Sequence, residues 1–386
     1  MTRVLVFGGW FGSGNLGDDA ILIGLRNLLS EAIPGVEIAA LSTDVEHTKR
    51  VCGVEAFQLR SPRELLAPHS KPKIREYQRV FRWADACILS GGTPIYDYDH
   101  LSRIIHYGLP RILGKELICF GIGVKPIRSW IGSQSVRSLL ERAAAVSTRD
   151  LRSKSELEAI GIRKEIRVTG DSSLFLTPRA PDAKKLGELG IIQDEPLVAF
   201  CPRALSPDHK IHYHAPLSIE VISKIRRTLA LTADCLSRSG HRVVFIPFHE
   251  APPDDDTAEI AVIRGLMREP SLVFERVIPP ETVAGVLGQV QLVVGLRLHS
   301  LILAAAMGVP SVSLNYDPKI AGFMEYAGME GYLSEPTDPV KTFIKRADEG
   351  LKNRAILKNR LLDSCEAMRR RIREEAKRIA RLLGGT

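Results

Sequence analysis

Val293-Val294-Gly295-Leu296-Arg297-Leu298-His299-Ser300 decides how this chain folds. An apolar, strand-like run breaks at a glycine, and an arginine and a histidine follow at once. Residues 301–307 then read as a buried helix, Gly308-Val309-Pro310 stops it, and Ser311 to Leu314 starts another strand. Strand, glycine turn, helix, glycine stop and strand make a βαβ unit. In such a unit a ligand sits beyond the carboxyl end of the strand, at the helix N-terminus. Arg297 and His299 occupy that place. In an extended turn alternate residues share a side, so both are expected to face one ligand. A fixed cation beside a titratable ring suits an anionic substrate that needs a proton. The plainer alternative is an arginine paired with a carboxylate and a histidine satisfied in the core.

Outward from this unit the same pattern recurs. Apolar strands are expected at 3–7, 36–41, 86–90, 117–120, 145–148 and 166–169, then again at 197–201 and 242–248. They keep ending in glycine or charge: Gly8-Gly9, Gly91-Gly92, Gly121, Arg149-Asp150, Gly170-Asp171, Arg203 and His249. Helical periodicity fills the intervals. This is the signature of α/β domains built on parallel sheets whose strand ends carry the site. At 386 residues the chain exceeds a single hydrophobic core. The expected division is an N-terminal Rossmann-like domain over 1–176, a polar linker over 177–196, and a C-terminal Rossmann-like domain over 197–352. A basic amphipathic helix over 353–386 would pack back on the body. Two such domains with sheets facing a cleft describe a GT-B-like architecture.

Composition narrows the function. Six cysteines are scattered without disulfide or metal-ligand spacing, which predicts a reducing, cytoplasmic setting and no bound metal. No apolar run reaches transmembrane length, and residues 1–7 do not read as a signal peptide. The net charge of +8 points to anionic partners. Aromatic content of 6% without basic-aromatic interleaving argues against nucleic acid. On the C-terminal helix, Leu357, Leu361, Cys365, Met368, Ile372, Ile379 and Leu383 make one stripe, and Arg369, Arg370, Arg371, Arg373, Lys377 and Arg378 crowd the other side. That basic face is either a solvated surface or a peripheral contact with the anionic inner face of the cell membrane.

Other charged residues fall where they could join Arg297 and His299. Arg203 follows a strand and would form a clamp with Arg297 for phosphate or carboxylate. Lys319 lies on the loop after the next strand. Arg149, at a first-domain strand end, either reaches a ligand or pairs with Asp150. The loop Gly12 to Asp19 lacks the lysine of a P-loop and has no clear dinucleotide partner acid. Its Asn15 and Asp18 suit sugar hydroxyls, and Gly92 permits close approach of a ligand.

Four motifs together resemble the polysaccharide pyruvyltransferases. They are Gly12-Ser13-Gly14-Asn15-Leu16-Gly17-Asp18-Asp19, Ser90-Gly91-Gly92, Ser147-Thr148-Arg149-Asp150, and Gly295-Leu296-Arg297-Leu298-His299-Ser300 with Tyr316-Asp317-Pro318-Lys319. The chain departs from the family's glycine triplet at Ser90 and from its Gly-Gln-Gly-Ile-Gly-Pro-like run at residues 119–124. The resemblance implies a GT-B-like fold and phosphoenolpyruvate as co-substrate, with no cofactor. It implies transfer of the enolpyruvate carbons to a saccharide, lipid-linked or polymeric, to give a pyruvate ketal and phosphate. It places Arg297, Leu298, Arg203 and Lys319 at the donor, His299 and Arg149 in catalysis, and Asn15, Asp18 and Gly92 toward the acceptor. Two other functions are compatible with the pattern. One is a GT-B glycosyltransferase using a nucleotide sugar, with Glu281 or Glu325 on the ribose. The other is an anion-binding assembly protein without turnover.

Overall fold

The computed structural model describes residues 2–97, 99–180, 187, 195–207, 217–252 and 254–384. The chain forms two compact units. The first comprises Met1–Ser13, Asp18–Leu176 and Met368–Thr386, and the second Gly14–Gly17 and Thr177–Ala367. Most of the expected linker, residues 181–186 and 188–194, lies outside the described residues.

The first unit is built on seven parallel strands: β1 (Arg3–Phe7), β2 (Glu37–Ser42), β3 (Glu55–Gln58), β4 (Ala86–Leu89), β5 (Glu116–Ile122), β6 (Ala145–Thr148) and β7 (Ile166–Val168). Their spatial order is β3-β2-β1-β4-β5-β6-β7. Val4, Leu5, Val6, Ile88 and Ile118 are all fully buried. Strands covered on both faces must read as continuous apolar runs, which is why these were visible in the sequence. Strand β3 lacks such a run (Glu-Ala-Phe-Gln, half exposed at the sheet edge) and escaped the sequence reading.

The second unit repeats the plan with six strands: β8 (Leu197–Cys201), β9 (Arg242–Phe245), β10 (Leu272–Val273), β11 (Leu292–Gly295), β12 (Ser311–Leu314) and β13 (Leu333–Ser334). The order is β10-β9-β8-β11-β12-β13, again parallel. The chain runs outward from β8 to β10, then returns to lay β11 against the other side of β8. The ends of β8 and β11 therefore flank the topological switch point, where open parallel sheets bind their ligands. The two-residue strands β10 and β13 were also missed, being too short to carry a periodic signal.

The helix after β11 corrects one expectation. It spans Leu298–Ala306, with Arg297 as its extended N-cap residue. His299 thus lies in the first helical turn, not in an extended turn, and the alternation argument that set it beside Arg297 does not hold. The turn is tight because Gly295 has no side chain: a Cβ there would collide with Ser300 and with Leu301.

The C-terminal helix spans Arg354–Leu382. Its stripe of Leu357, Leu361, Cys365, Met368, Ile372 and Ile379 is buried. Within the first unit it lies against the turn after β7. There Gly170 has φ +125°, and a Cβ would fall 3.1 Å from Ile372. Several basic residues are engaged in this packing. Arg369 Nε donates to the Leu174 carbonyl, Arg373 stacks on Phe175, and Arg378 Nη1 lies 3.0 Å from Glu375 Oε1. Among the described residues, no helix is long and apolar enough to cross a membrane.

Candidate active site

Arg203 follows β8 and Arg297 follows β11, so the two switch-point strands deliver one guanidinium each. Both are almost buried, and carboxylates that the sequence reading did not single out hold them there. Asp256, fully buried, takes Arg297 on both oxygens, with Oδ1 2.6 Å from Nη2 and Oδ2 2.8 Å from Nε. The same carboxylate accepts from the Ala204 and Phe248 amides at 3.0 Å each. Asp256 thereby ties the ends of β8, β9 and β11 together. Burial opposes the charge on Arg297, but Asp256 and Asp254 outweigh it and raise its pKa.

Asp254 lies between the two arginines. Its Oδ2 is 2.9 Å from Arg297 Nη1 and 3.5 Å from Arg203 Nη2. Its carbonyl lies 2.8 Å from His249 Nδ1. Burial penalises the carboxylate, yet Arg297 and Arg203 hold its pKa well below the usual range. Its other oxygen, Oδ1, is buried and has no hydrogen-bond partner among the described residues. One carboxylate is thus shared by two guanidiniums.

The loop after β12 completes the cluster. Tyr316 donates from its hydroxyl to the Leu296 carbonyl, and the Arg203 guanidinium lies over its ring. Burial pushes the Tyr316 phenol up to about 12, against the pull of Arg203. Asp317 caps the helix Pro318–Tyr326 and lies 3.2 Å from Lys319 Nζ and 3.9 Å from Arg203 Nη1. Arg203, Arg297 and Lys319 thus face Asp254, Asp256 and Asp317, which compensates their charge. Leu298, buried, forms part of the helix start. His299 is half-buried in the first turn. Gly17, which folds with this unit, comes so close that a Cβ there would run into the imidazole. Asn15 Oδ1 accepts from the Gly17 amide at 3.0 Å, and the Leu16 amide donates to the Phe248 carbonyl at 3.0 Å.

The remaining sequence candidates belong to the first unit. Asp18 Oδ1 accepts from the Gly92 amide at 2.9 Å, so these two meet where the loops after β1 and β4 converge. Asn15 is grouped with the second unit. Arg149, at the end of β6, is buried beside Asp150 and Asp171, at 3.3 and 3.5 Å. Burial disfavours its charge, but the two aspartates prevail and its pKa is raised. Of the ribose candidates in the second unit, Glu325 is exposed and Glu281 lends its carbonyl to the Arg179 amide. Asp254 and Asp256 were legible in principle, since Asp254-Asp255-Asp256 follows the strand end at His249 by a few residues.

A family profile described as Polysaccharide pyruvyl transferase matches residues 15–318. The chain belongs to this family. Members are transferases, and the match includes Asn15 to Asp19 of the glycine loop, Arg203 and the Arg297–His299 turn. Among curated proteins, none matches the chain in sequence. Solved structures share its fold. An Anabaena protein, HepE, in complex with UDP and glucose superposes with a TM-score of 0.61 at 14% identity, covering 100% of both chains. Sucrose-phosphate synthase from Thermosynechococcus elongatus gives 0.61 at 15%, covering 99% of each. UDP-GlcNAc 2-epimerase from Neisseria meningitidis, bound to UDP-GlcNAc, gives 0.57 at 11%, covering 96% of this chain and 99% of the other. The chain thus has two parallel-sheet α/β domains of the GT-B kind and a helical C-terminus.

Proposed function

We propose that this family member moves the enolpyruvate carbons of phosphoenolpyruvate onto two hydroxyls of a saccharide, forming a cyclic ketal and releasing phosphate. The observation that carries this reading is the pair Arg203 and Arg297 converging on one carboxylate at the switch point. Phosphoenolpyruvate has a carboxylate and a phosphate, and either would replace the Asp254 carboxylate between the guanidiniums. Lys319 supplies a further cation to the phosphate, and Leu298 an apolar wall.

Ketal formation starts with a proton on the enol methylene, which leaves positive charge on the adjacent carbon. A sugar hydroxyl bonds to that carbon and loses its proton. The carbon–oxygen bond to phosphate then breaks, and the second hydroxyl closes the ring. Of the two hydroxyl protons lost, one balances the methyl group and one leaves with phosphate. His299 is the general acid in this scheme and the acceptor of the first hydroxyl proton. The arginines stabilise the departing phosphate. Arg149 stays a catalytic candidate, and Asp18, Gly92 and Asn15 acceptor candidates, because the family motifs carry them. The scheme needs no cofactor.

The test is phosphate release from phosphoenolpyruvate across a panel of saccharide and lipid-linked acceptors. His299→Ala is expected to slow release by about 10²- to 10⁴-fold while phosphoenolpyruvate still binds. Unchanged release would remove His299 from the chemistry.

A further inference from the structure

The first unit carries a surface that the transfer reaction does not use. Between the helices His100–Ile112 and Trp130–Leu140 runs a groove of about 660 Å³. Leu101, Ile104, Ile112, Trp130 and Ile131 stand on these two helices, each between 50% and 78% exposed. They are five of the fourteen large apolar residues exposed among the described residues, which makes this a concentration and not a scatter. Arg111, Lys115 and Arg142 line the same groove, with Glu116 as the one acid among its lining residues.

The apolar residues are held in position. Asp97 Oδ2 accepts from the Arg128 and Ser129 amides at 2.9 and 2.7 Å. Ser129 then caps the second helix by accepting from the Gly132 amide. Trp130 and Ile131 are thereby the first residues of a fixed helix and project from it. On the first helix Arg103, His106, Tyr107 and Pro110 face inward, which leaves Leu101, Ile104, Arg111 and Ile112 on the open side.

We infer that this face is an interfacial membrane-binding surface, with Trp130, Ile131, Ile104 and Ile112 entering the acyl boundary and Arg111, Lys115 and Arg142 meeting anionic headgroups. Charge complementarity selects the occupant. Interfacial binding requires apolar area and cations on one face, and this face has both. The basic C-terminal helix has cations, but its apolar stripe is consumed by packing. The surface is independent of what the second unit binds.

Co-sedimentation of the full chain with vesicles tests this. Vesicles of phosphatidylcholine mixed with phosphatidylglycerol are expected to retain the protein, and vesicles of phosphatidylcholine alone to release it. Trp130→Ser with Ile131→Ser is expected to weaken retention ~10-fold or more. Arg111→Glu with Arg142→Glu should abolish the preference for anionic lipid. Arg370→Glu with Arg371→Glu, on the C-terminal helix, should change little. Circular dichroism confirms that each variant is folded. Three results would overturn the inference: no retention by anionic vesicles, retention unchanged in the Trp130/Ile131 variant, or loss only in the Arg370/Arg371 variant. Self-association that the Trp130/Ile131 changes abolish, without vesicle binding, would make the face a contact between copies instead.

Discussion

Asp254→Ala separates a structural carboxylate from a placeholder for substrate. In the resting site Asp254 contacts Arg297 at 2.9 Å and Arg203 at 3.5 Å. Breaking a buried ion pair by removing one partner costs about 3–5 kcal/mol. Here the loss falls toward the lower end, ~3 kcal/mol, because Arg297 keeps Asp256 and Arg203 keeps Asp317. A donor that takes the place of Asp254 must first overcome that same interaction in the wild type. The variant is spared it, so its affinity for phosphoenolpyruvate should rise by up to about a hundredfold. Stability and affinity therefore move in opposite directions. Chemical denaturation measures the first and calorimetric titration the second. A variant that is destabilised while phosphoenolpyruvate binds no tighter would refute the reasoning, since Asp254 would then be scaffold only.

Two further outcomes follow from the same geometry. Asp256→Ala should destabilise the second unit by about 3–5 kcal/mol, because it removes the bidentate partner of Arg297, leaving it Asp254, and strips the acceptor from the buried Phe248 amide and the part-buried Ala204 amide. Adding Arg297→Ala should recover part of that loss, and a cycle without coupling would contradict the pairing. In the first unit, the hydrogen bond from His47 to Asp19 raises the His47 pKa, against burial. A raised histidine pKa adds stability that is complete below about pH 6.5, the unfolded value, and is lost as pH rises through the folded value. His47→Gln should flatten that part of the stability profile, and an unchanged slope in urea titrations would count against it.

Much of the architecture was written in patterns a reader can follow. Strands such as β8 and β11 show as apolar runs because both faces are covered, and the residues after them mark the ligand end. The edge strands β3, β10 and β13 were invisible because short, half-exposed strands need no apolar run. The candidate site was half legible. Arg203, Arg297 and Lys319 announced themselves by position, whereas Asp254 and Asp256 gained meaning only once β9 lay beside β8. The register of His299 was misjudged for a local reason: nothing in Leu298-His299 signals that the helix has already begun, since Arg297 is not a typical capping residue.

Calorimetric titration of the wild type and of Arg203→Met with phosphoenolpyruvate, alongside UDP-sugars, tests the donor assignment most directly. Phosphoenolpyruvate should bind the wild type, binding should vanish with Arg203, and UDP-sugars should give no heat. Binding of a UDP-sugar with indifference to phosphoenolpyruvate would contradict it.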